Sequence, residues 1–213
     1  MIGRRALLIL AAMLAAPALA QDAPVAPVEP PLPRVSIVTT AGTMTVEVEV
    51  RKAPVTVANF LRYVDQKKLD SVGFYRVVKV QNALGFVQFG ALTDVSRILP
   101  PIKHEPTSQT GLTHIDGVLS VARLAPGTAR GEFTIMIGDH SHYMDAGKGS
   151  PEDNLGYAAF GRVVEGREVL LKILETPVDP AKTSQGAFKG EMPADPVRII
   201  SARRIAPAAA QGQ

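Results

Sequence analysis

Alternating apolar and polar residues predict a strand hairpin at the start of the main hydrophobic region. Residues 34–39 have the composition of a strand, and Ala41 and Gly42 supply the turn that follows. Residues 42–50 then alternate strictly, and the apolar positions on one face are Met44, Val46, Val48 and Val50. A period of two predicts an antiparallel pair of strands with one buried face.

Helical spacing occurs in two further segments, and short strands fill the remainder. The first helix is predicted to begin at Pro54, which suits a first helical turn, and its apolar face continues to Val64. A second helix is predicted over residues 167–175, which present a broad apolar face. The other predicted strands are residues 73–80, 86–90, 117–123, 133–137, 158–164 and 197–204. This pattern predicts a mainly β fold, an antiparallel barrel that is closed or nearly closed, with the helices covering its ends.

The 213 residues are expected to hold one folded domain between two irregular ends. Residues 1–20 have the features of a bacterial export signal, because Arg4 and Arg5 precede a short apolar run and a small-residue cleavage pattern. That run is shorter than the roughly twenty residues that span a bilayer, so cleavage after Ala20 is favoured over an uncleaved anchor. We therefore expect a periplasmic protein with no stable membrane anchor. Residues 21–33 are predicted to be a proline-rich linker, residues 34–205 the folded domain and residues 206–213 a flexible tail.

Composition and charge exclude several classes of function. The chain has no Cys, which removes disulfides, thiol catalysis and Cys-ligated zinc. It has no Trp and only 5% aromatic residues, which argues against a platform for stacked bases. Loss of Arg4 and Arg5 with the signal would bring the remaining basic residues close to balance with the 20 acidic ones. We therefore expect no nucleic-acid partner and, with no coiled-coil pattern, a monomer.

Polar clusters in the sequence are weak candidates for the common catalytic sites. No GxSxG, Walker loop, GxGxxG or HExxH motif occurs. His140 and His142 lie near two aspartates and could hold a divalent metal, although a solvated polar loop is the favoured interpretation. Ser120 has no His beside it in sequence and is interpreted as structural, so a hydrolase is not favoured. Arg76 interrupts an apolar, aromatic strand, either as an edge residue that reaches water or as a functional cation.

Five segments, in order, resemble motifs of the cyclophilins, the peptidyl-prolyl cis-trans isomerase family. They are APVTVANF at 53–60, FYRVV at 74–78, QFG at 88–90, GVLSVA at 117–122 and FGRVVEG at 160–166. Each motif is weak alone, but their shared order makes residues 34–205 similar to the whole family domain. The resemblance implies a closed eight-stranded cyclophilin-like barrel capped by two α-helices, isomerase activity on X-Pro bonds, and no metal or cofactor.

The resemblance also implies which residues form a proline-binding pocket. Arg76 matches the catalytic arginine of the family. The substrate-binding positions would be Phe86, Gln88, Ala122, Glu132, Thr134, Tyr143, Met144 and Tyr157. Several of these depart from the family pattern, since Glu132, Thr134 and Tyr157 stand where the family has Gln, Phe and His. An ionised Glu can only accept hydrogen bonds, so Glu132 is expected to pair with Arg76 and to occupy some of its donors.

Rotation about an X-Pro bond exchanges no atoms and therefore needs no base, nucleophile or cofactor. In the mechanism that the resemblance implies, Arg76 donates to the prolyl nitrogen, whose lone pair is freed from amide resonance as the bond twists. The pocket walls would be Phe86, Met144 and Tyr157, and Gln88 would bind the substrate backbone. The expected partners are proline-containing peptides and unfolded exported proteins. Two alternatives stay open: a proline-peptide binding protein or chaperone with little turnover, and an inert barrel scaffold.

Overall fold

The computed structural model describes residues 29–81, 84–91 and 94–206 of the chain. Eight antiparallel strands form one sheet in the order β3-β4-β6-β5-β7-β2-β1-β8. The strands are β1 (Arg34–Thr39), β2 (Gly42–Val48), β3 (Arg76–Gln81), β4 (Leu84–Gly90), β5 (Val118–Val121), β6 (Glu132–Ile137), β7 (Ala158–Glu165) and β8 (Ile199–Ile205). The helices are α1 (Pro54–Asp65), α2 (Thr107–Thr110), α3 (Ser141–Met144) and α4 (Arg167–Leu174), with a 3-10 turn at Val95–Arg97.

The predicted ends of the chain lie largely outside the described residues. Signal residues 1–20, linker residues 21–28 and tail residues 207–213 belong to this part, and linker residues 29–33 have no regular structure. Within the described residues, no helix is long and apolar enough to cross a membrane.

The sheet is open, so the prediction of a closed barrel is wrong. Strands β3 and β8 are its two edges. Pairing between them fails because β3 begins at Arg76 and not at Gly73, leaving a single antiparallel bridge from Gly73 to Arg198. Ser71, just before that bridge, has a left-handed φ of 65°, which interrupts an extended strand. The observed architecture is therefore an eight-stranded open sheet covered by helices.

Two long helices cover the sheet, as the helical spacing predicted. Helix α1 packs against β7 and β8, and α4 packs against β2, β3 and β4. The α1 side chain of Phe60 meets Phe133 edge-on at a centroid distance of 5.1 Å and Phe160 at 5.3 Å. Such aromatic contacts add to the free energy gained by burying apolar area, and they anchor α1 to the centre of the sheet. The one-turn helices α2 and α3 carry too few residues for a periodic signal.

The first turn of α1 is capped by a residue from a distant loop. The residue before this helix, Ala53, provides no side-chain cap. Glu105 is 2% exposed and accepts hydrogen bonds from the backbone N–H groups of Val55 at 3.0 Å and Thr56 at 2.8 Å. The Thr56 hydroxyl donates to the same carboxylate at 2.7 Å. A negative charge at a helix N-terminus satisfies free donors and complements the helix dipole.

Candidate active site

Four polar residues lie in one row across four neighbouring strands. Arg76 of β3 pairs in register with Gln88 of β4, which pairs with Thr134 of β6, which pairs with Ser120 of β5. Their neighbours along each strand belong to the hydrophobic core: Val77, Val87, Phe89, Phe133, Ile135, Leu119 and Val121. Because successive side chains point to opposite faces of a sheet, the polar row lies on the face turned away from that core.

This row is part of the lining of a cleft with a volume of about 1020 Å³. Every residue that the sequence assigned to the pocket lines it: Arg76, Phe86, Gln88, Ala122, Glu132, Thr134, Tyr143, Met144 and Tyr157. A cleft of this size, walled by apolar and aromatic groups around a few polar ones, is typical of a binding site for a small ligand or peptide segment.

Arg76 is held by hydrogen bonds and by aromatic rings. Its Nε donates to Oε2 of Glu191 at 2.6 Å, and its Nη1 donates to Oε1 of Gln88 at 3.3 Å. Its Cζ lies 5.0 Å from the centroid of the Phe86 ring and 4.6 Å from that of Phe188. The side chain is still 24% exposed, so it is anchored and also reachable from the cleft. A guanidinium has five N–H donors, so these contacts leave donors for a ligand.

Glu132 lies beside a buried tyrosine of the same cleft. The Tyr75 hydroxyl donates to Oε2 of Glu132 at 2.6 Å. Burial raises the pKa of Tyr75 well above its usual value, and the Glu132 charge raises it further. The carboxylate that the structure places on Nε of Arg76 is that of Glu191, a residue that the sequence analysis did not consider.

The opposite wall of the cleft is fastened by a second arginine. Arg123 makes two hydrogen bonds to Asp153, from Nη1 at 2.6 Å and from Nη2 at 2.8 Å. Its Cζ lies 5.1 Å from the centroid of Tyr157, and its side chain is only 1% exposed. The pair therefore ties the loop that holds Asp153 to the end of β5 and sets the position of the Tyr157 ring.

Sequence reasoning missed a buried hydrogen-bonded chain beneath the cleft. Nδ1 of His114 lies 2.6 Å from Oδ1 of Asp145, and its Nε2 lies 2.9 Å from the hydroxyl of Ser120. Burial lowers the pKa of His114 although the Asp145 carboxylate opposes that shift, so the neutral ring is favoured. Ser120 is 1% exposed, and the chain therefore supports the floor without presenting a nucleophile.

The loop that contains His140 and His142 lies at the rim of the cleft, and His140 is hydrogen-bonded to neighbouring protein groups. Nε2 of the buried His140 lies 2.7 Å from the Gly85 carbonyl and 3.0 Å from that of Ile137. Its Nδ1 lies 2.5 Å from the hydroxyl of Tyr143, which is 42% exposed. Within the part of the chain that the structure describes, no three potential ligands from His, Cys, Asp and Glu converge on one point. His140 therefore fixes the rim residue Tyr143.

Comparison with known proteins matches this domain to one family. The family profile described as cyclophilin type peptidyl-prolyl cis-trans isomerase/CLD matches residues 34–204. Peptidyl-prolyl cis-trans isomerase A of Dickeya dadantii is 32% identical over 176 residues, 80% of this chain and 84% of that protein. A peptidyl-prolyl cis-trans isomerase of Acinetobacter baylyi is 30% identical over 168 residues, 78% of this chain and 82% of that protein.

Solved structures show the same fold. The crystal structure of a Cryptosporidium parvum cyclophilin type peptidyl-prolyl cis-trans isomerase aligns with a TM-score of 0.63 at 21% identity. The alignment covers 83% of this chain and 99% of that one. The fold and the cleft together define a mainly β protein with a binding groove on the face of its sheet opposite the core. The chain belongs to the cyclophilin-type peptidyl-prolyl cis-trans isomerase family, the class of enzymes that catalyse rotation about X-Pro bonds.

Proposed function

We propose that Arg76 is the catalytic residue of this isomerase and that the surrounding cleft binds a proline-containing peptide. The apolar groups that would hold the proline ring are Phe86, Met144 and Tyr157, and Gln88 would bind the peptide backbone. The observation that carries the proposal is the setting of Arg76, an anchored but reachable cation at the cleft floor.

The chemistry of rotation explains why an arginine is sufficient. Amide resonance gives the X-Pro bond a barrier of roughly 18–20 kcal/mol, and unaided rotation takes tens to hundreds of seconds. As the bond twists, resonance is lost and the prolyl nitrogen becomes a hydrogen-bond acceptor. An N–H group of Arg76 aimed at that nitrogen stabilises the twisted state more than either planar state, which is the requirement for catalysis.

Peptide binding is supported by the chemistry of the cleft. A relative from Cryptosporidium parvum has been crystallised in the presence of the dipeptide Ala-Pro. The corresponding test here is a protease-coupled isomerisation assay with several X-Pro peptides, combined with calorimetric binding of the same peptides. Turnover supports the proposed mechanism. Binding without turnover would favour a proline-peptide binding protein or chaperone. Absence of both binding and turnover would indicate an inert scaffold.

We further propose that the physiological clients are unfolded exported proteins in the periplasm and that the mature enzyme is a monomer. Export is supported by the sequence pattern of residues 1–20, with Arg4 and Arg5 before a short apolar run, and the monomer by the lack of a coiled-coil pattern in the sequence. Mass spectrometry of a periplasmic extract should detect a chain that starts at Gln21. Light scattering after gel filtration should give the mass of one chain. An intact Met1 in the membrane fraction would contradict the export proposal.

A further inference from the structure

The segment between α4 and β8 is long and folds back on itself. We call residues 175–198 the α4–β8 loop. Val178 and Pro193 form an antiparallel bridge across it, so the two ends of the loop lie side by side. The loop also docks on the free edge of the sheet, because the Val77 N–H of β3 donates to the Glu191 carbonyl at 2.7 Å. The residues near Glu191 are therefore held at a fixed place beside β3.

Two side chains of this loop reach the catalytic arginine. The Glu191 carboxylate accepts from Nε of Arg76 at 2.6 Å, and the Phe188 ring lies 4.6 Å from its Cζ. Phe188 has a φ of 62°, a left-handed backbone conformation that bulky residues rarely adopt. Conformations of this kind persist where surrounding contacts require them, and they concentrate at functional sites.

We propose that Glu191 is a positioning residue of the isomerase, acting through Arg76, with the Phe188 ring as its partner. The proposal rests on the catalytic role proposed above for Arg76. Among the described contacts, the Glu191 carboxylate accepts a hydrogen bond from Nε of Arg76 and not from its Nη nitrogens. Among the described residues, the two Nη nitrogens have one hydrogen-bond partner, Gln88, so N–H groups remain for a prolyl nitrogen.

Positioning matters here because an arginine side chain is long and has many rotamers. A donor that is already in place needs no reorganisation when the X-Pro bond twists, and a small misplacement of a catalytic group can cost a large factor in rate. The Arg76 and Glu191 side chains are 24% and 33% exposed, so the pair should add little to overall stability. Its effect should therefore be on turnover.

The first test separates charge, geometry and folding with two substitutions at one position. Glu191→Ala should lower kcat by about tenfold and leave KM within about twofold, because orientation of Arg76 is lost and the pocket walls remain. Glu191→Gln keeps an acceptor for Nε and should retain at least about a third of wild-type kcat. Unchanged kcat in Glu191→Ala, or a rise, would overturn the proposal, since a rise would mean that Glu191 withdraws donors from Arg76.

The second test is a double-mutant cycle with Arg76→Ala. If Glu191 acts through the guanidinium, Glu191→Ala should have no further effect on kcat once Arg76 has been replaced. An equal loss in both backgrounds would overturn the positioning role. Wild-type turnover of Arg76→Ala itself would instead overturn the proposed catalytic role, so the two failures are distinguishable.

A matched control uses another carboxylate paired with β3. Glu175 at the start of the α4–β8 loop forms an exposed ion pair with Lys79 of the same strand. Glu175→Ala should leave kcat and KM at wild-type values, because an exposed pair outside the cleft contributes little. Phe188→Leu, which removes the aromatic face but keeps apolar bulk, should lower kcat in the same direction as Glu191→Ala. Wild-type kcat in Phe188→Leu would overturn the role of the ring.

Discussion

Arg76 and Gln88 face each other in register across β3 and β4, and Nη1 of the arginine donates to Oε1 of the glutamine at 3.3 Å. Arg76 lies in β3 and Gln88 in β4, and residues 82–83 between these strands are outside the described part of the chain. The pairing of β3 with β4 sets the register that brings the two residues together. A guanidinium and an amide thus occupy adjacent places on the cleft floor.

The first prediction concerns that arginine. Arg76→Ala should lower kcat/KM by at least about tenfold, which corresponds to roughly 1.4 kcal/mol of lost transition-state stabilisation. Arg76→Lys should not restore activity, because an ammonium cannot reproduce the fork of donors that meets Glu191 and Gln88. The measurement is steady-state isomerisation, with circular dichroism to check the fold. Lys79→Ala, an exposed change on the same strand, is the control and should keep wild-type activity.

Glu132 provides a second prediction. Glu132→Gln should raise kcat/KM at neutral pH by about two- to fivefold, because an amide adds a donor toward the cleft. The amide oxygen can still accept from Tyr75, whose hydroxyl meets the carboxylate at 2.6 Å. Glu132→Ala removes that acceptor from a buried hydroxyl and should lower the free energy of unfolding by about 1–3 kcal/mol. A fall of kcat/KM in a stably folded Glu132→Gln would show that the negative charge serves catalysis.

The sequence predicted the fold well wherever one surface of an element is buried. Strand β1 and the start of α1 were placed correctly because strand composition, a first-turn proline and helical spacing are local signals. Closure of the barrel could not be decided in this way, since it depends on whether β3 meets β8, and those strands are far apart in the chain. The chain is not extended at Ser71, and Gly73 forms a single bridge to Arg198 outside both strands.

The site was predictable only as far as its residues lie within recognisable motifs. Arg76 and Gln88 occur in strands that resemble family segments, and both line the cleft. Glu191 and Phe188 lie in a loop without periodicity, more than a hundred residues from Arg76, and only docking of that loop brings them to it. His114 has polar neighbours in sequence, which give no signal of burial, yet it is fully buried.

The third prediction tests the ion pair between Arg123 and Asp153, which holds the wall of the cleft that contains Tyr157. Asp153→Ala leaves the buried Arg123 guanidinium without its two-point partner, although Gly156 still accepts from its Nε at 3.2 Å. The loop that contains Asp153 should loosen and the Tyr157 ring should shift, because the ring packs on Arg123. We expect KM for X-Pro peptides to rise several-fold, with a smaller change in kcat. Wild-type KM in this variant would show that the wall is rigid without the ion pair.

The fourth prediction concerns acid stability. Burial lowers the folded-state pKa of His114 and of His104 below the ordinary value of 6.5. Below pH 6.5 the unfolded chain therefore binds protons that the folded chain does not. The free energy of unfolding then decreases as the pH is lowered, until the folded-state pKa is reached. Each histidine can contribute a slope of at most about 1.4 kcal/mol per pH unit. Urea unfolding between pH 7.5 and 5 should show this decline, and His114→Gln should make it shallower. An unaltered slope in that variant would assign the effect to other groups.

The last prediction concerns Glu105, which caps α1 from a distant loop. Its carboxylate accepts from the backbone N–H groups of Val55 and Thr56 and from the Thr56 hydroxyl, and it is almost completely buried. Glu105→Ala should lower the free energy of unfolding by about 2–4 kcal/mol, since it removes a charged acceptor and leaves buried donors unpaired. Glu105→Gln keeps an acceptor but loses the charge at the helix N-terminus, and it should lose less stability than Glu105→Ala. Because α1 packs on the core face of the sheet and the polar row of the cleft lies on the other face, kcat/KM of the folded fraction should remain at the wild-type value. Urea unfolding and isomerisation kinetics on the same samples measure both effects. Equal stability of Glu105→Ala and wild type would mean that α1 is held by its packing alone.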